Sequence, residues 1–432
     1  MKILVIGGGW AGIAAAVEAA ERGCQVLLLE ERPYLGGRAR SFIDRESGHH
    51  IDNGQHVMMG CYSAFLRVLR LLGTSHLLEP QRALKVGFVD TRGEKHTLDA
   101  SRFPGKAGVL AGLLLLSGVR LGSRLACLRL AARIAAGRVD GKSRTCAEFL
   151  TEERQPDDIV TRFWEPLVLA TLNAPIEQAS AELLVAVMRL AFLGSREDSS
   201  LLIPTCGLSD LIEPLPAWMG LRGGDVRLST SADKLVVQNG RCVQVVLSDS
   251  SVCDVDAVVS CIPQRALERL CAASGISTAL PEPSAMSPIV SLYLWYDRQW
   301  MQDELLAALG TTVQWVFNKR RISPGLVALT VSAGHDIVGM SQDEIVYRCD
   351  AELRQVLPDA RSATLQRGLV IKEKMATPLL TPTTERAGSV QYAQEVSNLF
   401  IAGDWTSTGL PATIEGAARS GIAAIDCARS AG

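Results

Sequence analysis

The sequence predicts an α/β fold: a Rossmann-type domain interrupted by an inserted α+β domain of antiparallel sheet plus helices. Three observations carry this. A strand–glycine turn–helix–strand run opens the chain, an apolar strand leads into a helix at its end, and alternating β-rich segments lie between. Lys2 to Ile6 is a short apolar run suited to a buried parallel strand. Gly7, Gly9 and Gly12 follow with G-x-G-x-x-G spacing and open an alanine-rich helix running to Arg22. Gly23 stops it, and Gln25 to Leu29 reads as a second buried strand ending in Glu30. In such a unit the first glycine permits a tight turn, the second lets backbone approach a pyrophosphate, and the third lets helix and strand pack closely. The helix start at Trp10 and Ala11 offers free N–H groups and a positive dipole end. Glu30, 18 residues past Gly12 and followed by Glu31, stands where a carboxylate accepts hydrogen bonds from ribose hydroxyls. An acid there, with no basic residue, argues against a 2′-phosphate.

The segment Glu31-Arg-Pro-Tyr-Leu-Gly36-Gly37-Arg38-Ala39 follows directly and resembles the two-glycine motif of flavin oxidoreductases. That resemblance implies a loop close to the cofactor, with Gly37 against it and Arg38 reaching phosphate or flavin. At the far end, Asn398 to Ala402 is an apolar strand running into Gly403, Asp404 and Trp405, and a helix follows through Thr413, Ile414 and Glu415 to Gly421. This resembles the C-terminal flavin segment of the amine oxidase and phytoene desaturase superfamily. There Gly403 and Asp404 would contact the ribityl–pyrophosphate region. The helix starting at Thr413 and Ile414 would point its N-terminus at the isoalloxazine, where the dipole stabilises negative charge on a reduced flavin. Together the two ends imply FAD.

Length allows two domains, and a net charge of −2 gives no field that would draw nucleic acid. The apolar fraction of 47% with few aromatics points to contact with something greasy. Eleven cysteines lie scattered without a C-x-x-C pair, and no histidine cluster has metal-ligand spacing, so no metal is expected and the thiols read as reduced and cytoplasmic. Residues 3–17 are apolar enough to imitate a signal sequence, but the glycine motif accounts for them.

Elsewhere the longest apolar stretch runs from Ala107 to Val119, thirteen residues, too short to span a bilayer. It belongs to a segment, 102–144, with nine basic residues against the single acid Asp140. One expectation is peripheral contact with the inner face of the cell membrane through these cations. The other is a partly buried helical hairpin, because Arg120 and Arg124 lie opposite Arg129 and Arg133 on one continuous helix.

Between the flavin motifs, residues 147–203 read as helical, and Val226–Leu228, Lys234–Val237, Arg241–Leu247 and Asp256–Ser260 as strands. Asn239-Gly240 marks a hairpin turn. By the superfamily resemblance, Val236 would supply the adenine contact. Residues 288–295, 312–317 and 326–332 alternate in the manner of an antiparallel sheet. The expected organisation is a FAD-binding domain in three segments, 1–75, 201–270 and 391–432. A substrate domain is inserted as 76–200, mostly helical, and 271–390, the antiparallel sheet.

Three further strings narrow the resemblance: Ile51-Asp52-Asn53-Gly54-Gln55-His56-Val57, Phe163-Trp164-Glu165-Pro166 through Pro175, and Ala402 through Gly416. With them the whole chain resembles the hydroxysqualene dehydroxylase family, the squalene-associated FAD-dependent desaturases. That resemblance implies removal of an allylic hydroxyl from hydroxysqualene to give squalene for hopanoid or carotenoid pathways. Such chemistry needs an acid near the leaving oxygen, and Asp52, His56 and Glu165 are the candidates. No second dinucleotide site is visible, so an external electron donor is expected. Three alternatives stay open: a carotenoid desaturase using oxidised FAD, an amine oxidase, and a non-catalytic flavoprotein that handles isoprenoids. Against the amine oxidase, Thr413 stands where monoamine oxidases carry a tyrosine of their aromatic cage.

Overall fold

The computed structural model describes residues 1–103, 105–195, 197–387 and 396–431. The expected boundary between 390 and 391 lies outside them. A parallel sheet forms the cofactor side of the molecule, with strands in the order Asp225–Arg227, Gln25–Leu29, Lys2–Ile6, Ala257–Ser260 and Leu399–Ile401. Its central strands are continuous apolar runs because both faces are covered. Ile3 and Val5 face the helices Trp10–Glu21 and Ile414–Ser430, whereas Leu4 and Ile6 face a three-stranded sheet and the helix Gln264–Ala273. The two helices on the first face touch closely: a Cβ on Gly421 would lie 2.1 Å from the Ala11 carbonyl oxygen. The third motif glycine meets the same limit, since a Cβ on Gly12 would lie 1.8 Å from the Gly7 oxygen.

The closing helix also reaches back to the start of the chain. Glu415, 1% exposed, accepts hydrogen bonds from the N–H groups of Ala64 and Phe65 at 3.1 and 3.0 Å. It thereby caps the helix Ser63–Leu72, which has no side-chain cap of its own at Tyr62, and Arg419 balances the charge at 2.6 Å.

The second sheet runs Leu365–Pro378, Met286–Tyr296, Leu326–Ser332, Trp315–Asn318, Leu305–Ala308, Lys85–Val89 and Lys95–Asp99. It is antiparallel except where Leu305–Ala308 pairs parallel with Lys85–Val89. The hairpin 85–99 joins it from within a segment expected to be mostly helical. Its alternating Val86, Phe88, His96 and Leu98 are the buried positions that seat it. One face of this sheet packs on the helix Gln342–Val356. On the other face Tyr293, Trp295 and Ala328 meet Ile51 and the loop that follows it. Between Ala232–Gln238 and Arg241–Leu247 the chain turns at Asn239 and Gly240 with φ of 50° and 71°, the two left-handed residues of a tight hairpin.

Candidate active site

The dinucleotide loop is assembled around Glu30. This carboxylate, 8% exposed, accepts from Gly8 N–H at 2.6 Å and from Arg32 N–H at 2.9 Å. Burial raises its pKa, and the two backbone donors oppose that. Above Gly9 there is open space where a side chain would stand, and a Cβ on Gly37 would come 3.3 Å from Gly9 Cα. The two glycine loops therefore pack against each other, with Gly36 N–H donating to Gly8 O at 2.9 Å, and the open space above Gly9 leaves a gap beside the uncapped start of the helix Trp10–Glu21. Trp10 and Ala11 serve this gap only through main chain. The Trp10 indole turns into the core against Phe65, with ring centroids 4.7 Å apart, and Ala11 is buried. Glu31 points outward to Arg32.

Arg38 joins the two ends of the chain: it donates to Asp404 at 2.7 Å and to the Ala376 carbonyl at 2.7 Å. Its guanidinium thus holds a protein carboxylate, Asp404, in the structure. Gly403 precedes it with φ of 145°, close to the Trp405 indole. Thr413 caps the closing helix by accepting from Gly416 N–H at 3.1 Å, and Tyr62 hydrogen bonds to Thr413. Ile414 opens that helix and is half-buried. Val236 keeps accessible surface while its neighbour Leu235 is in the core.

Asp52 to His56 are held against the second sheet. The Tyr293 hydroxyl donates to Asp52 O at 2.9 Å and accepts from Asp52 N–H and from Gln55 Nε2. The Asp52 carboxylate accepts from Ser41 Oγ at 2.7 Å and Leu208 N–H at 3.0 Å, which pins three segments together. His56 Nδ1 lies 3.0 Å from Gly54 O. A carbonyl can only accept, so Nδ1 carries the proton and Nε2 is the free lone pair. Burial lowers the His56 pKa, which keeps the ring neutral; Asp52 opposes and Lys319 assists.

Lys319 is the residue that sequence reading missed. It lines one small cavity with Asp52, Gln55, His56 and Phe317. Burial lowers its pKa and the nearby Asp52 charge raises it. His56 and Lys319 sit deep in the protein yet keep accessible surface, as walls of this cavity. That space, the open gap at Gly9 and the buried Glu30 acceptor suit FAD, which Glu30, Gly9, Thr413 and His56 would hold.

Glu165 does not join this group. It stands half-buried at the start of the helix Glu165–Leu172, its pKa raised by burial and by Glu177. In the same string Asn173 does the connecting, binding Ser287 O, Thr377 Oγ1 and Ala333 N–H. Away from the site, Asp90, Glu94 and His96 cluster at the 85–99 hairpin, where Arg162 already lies 3.2 Å from Asp90.

The model of the flavin containing amine oxidoreductase family matches residues 10–427. The chain belongs to this family. It is an FAD-dependent oxidoreductase. Hydroxysqualene dehydroxylase from Sinorhizobium fredii is 30% identical over 99% of this chain and 98% of its own. Zeta-carotene desaturase from Zea mays is 23% identical over 98% of this chain and 82% of its own. Among solved structures, an oxidoreductase from Methanosarcina mazei superposes with a TM-score of 0.76 at 17% identity, covering 99% of this chain and all of that one, which shows the shared fold.

Proposed function

We propose that this protein is a hydroxysqualene dehydroxylase of the cytoplasm, converting an allylic C30 alcohol to squalene with electrons from an external donor. The observation that carries the reading is the end-to-end similarity to a protein of that name. The cavity beside Asp52–His56 supports it. FAD, when bound and reduced, supplies the hydride that replaces the leaving group.

The chain's own task is to release the hydroxyl. His56 Nε2, unprotonated because Nδ1–H is held by Gly54 O, accepts the substrate O–H and orients it. Neutral and without a proton on that nitrogen, His56 is an acceptor here and not the acid. The Asp52 carboxylate is already engaged and holds the loop. Lys319 Nζ is the donor: it passes a proton to the leaving oxygen, which departs as water, and Asp52 favours the protonated lysine beforehand. Val57, Ile203, Leu305 and Phe317 wall the same cavity with apolar surface that excludes bulk water.

Desaturation by oxidised FAD is the second reading, favoured by the likeness to zeta-carotene desaturase and by a neutral His56 able to take a proton. An anaerobic single turnover decides between them. The flavin is reduced with light or dithionite, hydroxysqualene is added in detergent, and absorbance and extracted lipid are followed. Stoichiometric squalene with flavin reoxidation is the expected result. A flavin that stays reduced beside intact alcohol overturns the proposal and turns attention to oxidised enzyme with a polyene, and no turnover in either direction leaves an isoprenoid-handling role.

A further inference from the structure

The helices Gly105–Leu114 and Leu121–Ala135 form an antiparallel hairpin whose basic residues are put to unexpected use. Arg120 pairs with Asp158 at 3.2 Å, and Arg133 with Glu153 at 3.0 Å. Arg124 donates to the carbonyls of Val119 and Leu114 at 2.7 and 3.0 Å, which closes the end of the first helix and fixes the turn. Three of the four arginines in the hairpin, Arg120, Arg124 and Arg133, are thus tied into the protein.

What the hairpin presents instead is leucine. Leu114, Leu115, Leu121 and Leu125 are 37%, 47%, 60% and 53% exposed, all at its turn. Leu121 and Leu125 share a helical face by their spacing of four, and Arg129 continues that face one turn further back. On the other helix Lys106, Leu110 and Leu114 follow the same spacing in reverse. Neither Lys106 nor Arg129 has an ion pair among the described residues, and both are exposed. Each cation therefore sits eight residues, about 12 Å, behind the leucine that ends its face. Apolar side chains at that tip would lie in the acyl boundary of a bilayer while the two cations reach its phosphates. No helix among the described residues is long and apolar enough to cross a membrane, so the contact is with one surface.

We propose that this hairpin docks the protein on an anionic bilayer, with leucines as the inserted element and Lys106 and Arg129 as the head-group contacts. The choice of occupant rests on charge complementarity and on the proposed substrate class, a C30 alcohol that resides in membranes.

The test is flotation of the FAD-loaded protein with vesicles of phosphatidylcholine, with or without phosphatidylglycerol. Wild type is expected to float with the anionic vesicles. The variant Leu114→Ser/Leu115→Ser/Leu121→Ser/Leu125→Ser is expected to lose about tenfold or more of that binding, since its inserted apolar area is gone. Lys106→Gln/Arg129→Gln is expected to abolish the preference for anionic lipid. Flavin absorbance and turnover of detergent-dispersed alcohol should stay at wild-type level in both. Wild type that floats with neither vesicle, or a serine variant that floats like wild type, overturns the proposal. So does a wild-type dimer that the serine substitutions dissociate, because the leucines would then be covered by a second copy. If flotation succeeds and detergent-dispersed hydroxysqualene is not turned over, the docking stands and the proposed reaction fails.

Discussion

Arg38 and Asp404 meet at 2.7 Å across 366 residues of chain, and the contact links the two-glycine loop to the strand exit that flanks the closing helix. A second donation, to the Ala376 carbonyl, ties the same guanidinium to the long strand of the other sheet. The three-way junction holds both walls of the cofactor gap.

Replacing Arg38 with Met should leave Asp404 without its partner and let the two walls separate. FAD affinity is expected to fall by about 10- to 100-fold, the equivalent of one lost charge-assisted interaction. Arg38→Lys should recover only part, because an ammonium lacks the fork that spans a carboxylate and a carbonyl together. Flavin fluorescence on reconstituting the apoprotein measures both; equal retention in all three proteins would refute the junction.

Glu30→Ala removes the acceptor for Gly8 and Arg32 and the acceptor offered to the ribose. A further drop in FAD affinity of about 10- to 100-fold is expected, from a charge-assisted bond of roughly 1.5–3 kcal/mol. Flavin content after gel filtration is the readout, and unchanged content would displace the ribose from Glu30.

For the proton donor, Lys319→Met should retain FAD and slow single turnover by about 10²- to 10⁴-fold. The wild-type rate should fall on the alkaline side at a pH below the ordinary lysine value, because burial lowers the Lys319 pKa. Asp52 raises that pKa, so Asp52→Asn should move the alkaline limb to still lower pH. A limb that moves upward, or stays fixed, would remove Lys319 from the role.

Asp44 and Arg367, at 2.7 Å with side chains 8% and 19% exposed, give a stability prediction. The Arg367 hydrogen bond holds the Asp44 carboxyl below the usual carboxylate range, against burial. A depressed folded-state pKa contributes stability that is complete above the unfolded value, near about 3.9, and is lost as pH falls toward the folded one. Arg367→Met should therefore cost about 3–5 kcal/mol near neutrality. Its stability should also decline less steeply than wild type in acid. Urea unfolding at several pH values would show both, and parallel pH curves would reject the coupling.

Much of the cofactor side was legible because its signals are local. Gly7, Gly9, Gly12 and Glu30 lie within one strand–helix–strand unit, and the strands Lys2–Ile6, Gln25–Leu29 and Arg241–Leu247 have the limits their apolar runs suggest. The reacting end was harder, since its residues meet only through tertiary packing. Lys319 sits in Asn318-Lys-Arg-Arg321, which reads as a solvated turn, and Arg320 and Arg321 do pair outward with Glu304 and Glu79. The i, i+2 spacing held the one usable signal: Phe317, in the strand Trp315–Asn318, and Lys319, just past its end, both line the cavity. Residue type made His56 one of three acid candidates and carries no information on which nitrogen is protonated; the Gly54 O contact at Nδ1 bears on that. In the arginine-rich hairpin, composition counted the cations, and only their partners Asp158 and Glu153 reveal which remain free for other contacts.

The cap that Glu415 places on Ala64 and Phe65 has a consequence for biogenesis. Phe65 N–H and its acceptor are separated by 350 residues, so the helix that follows the Asp52–His56 loop lacks its N-terminal cap until Glu415 has left the ribosome. A nascent chain stalled before residue 415 would keep an open, unlocked loop, and flavin would be captured as a late event of synthesis, when both termini can close on it.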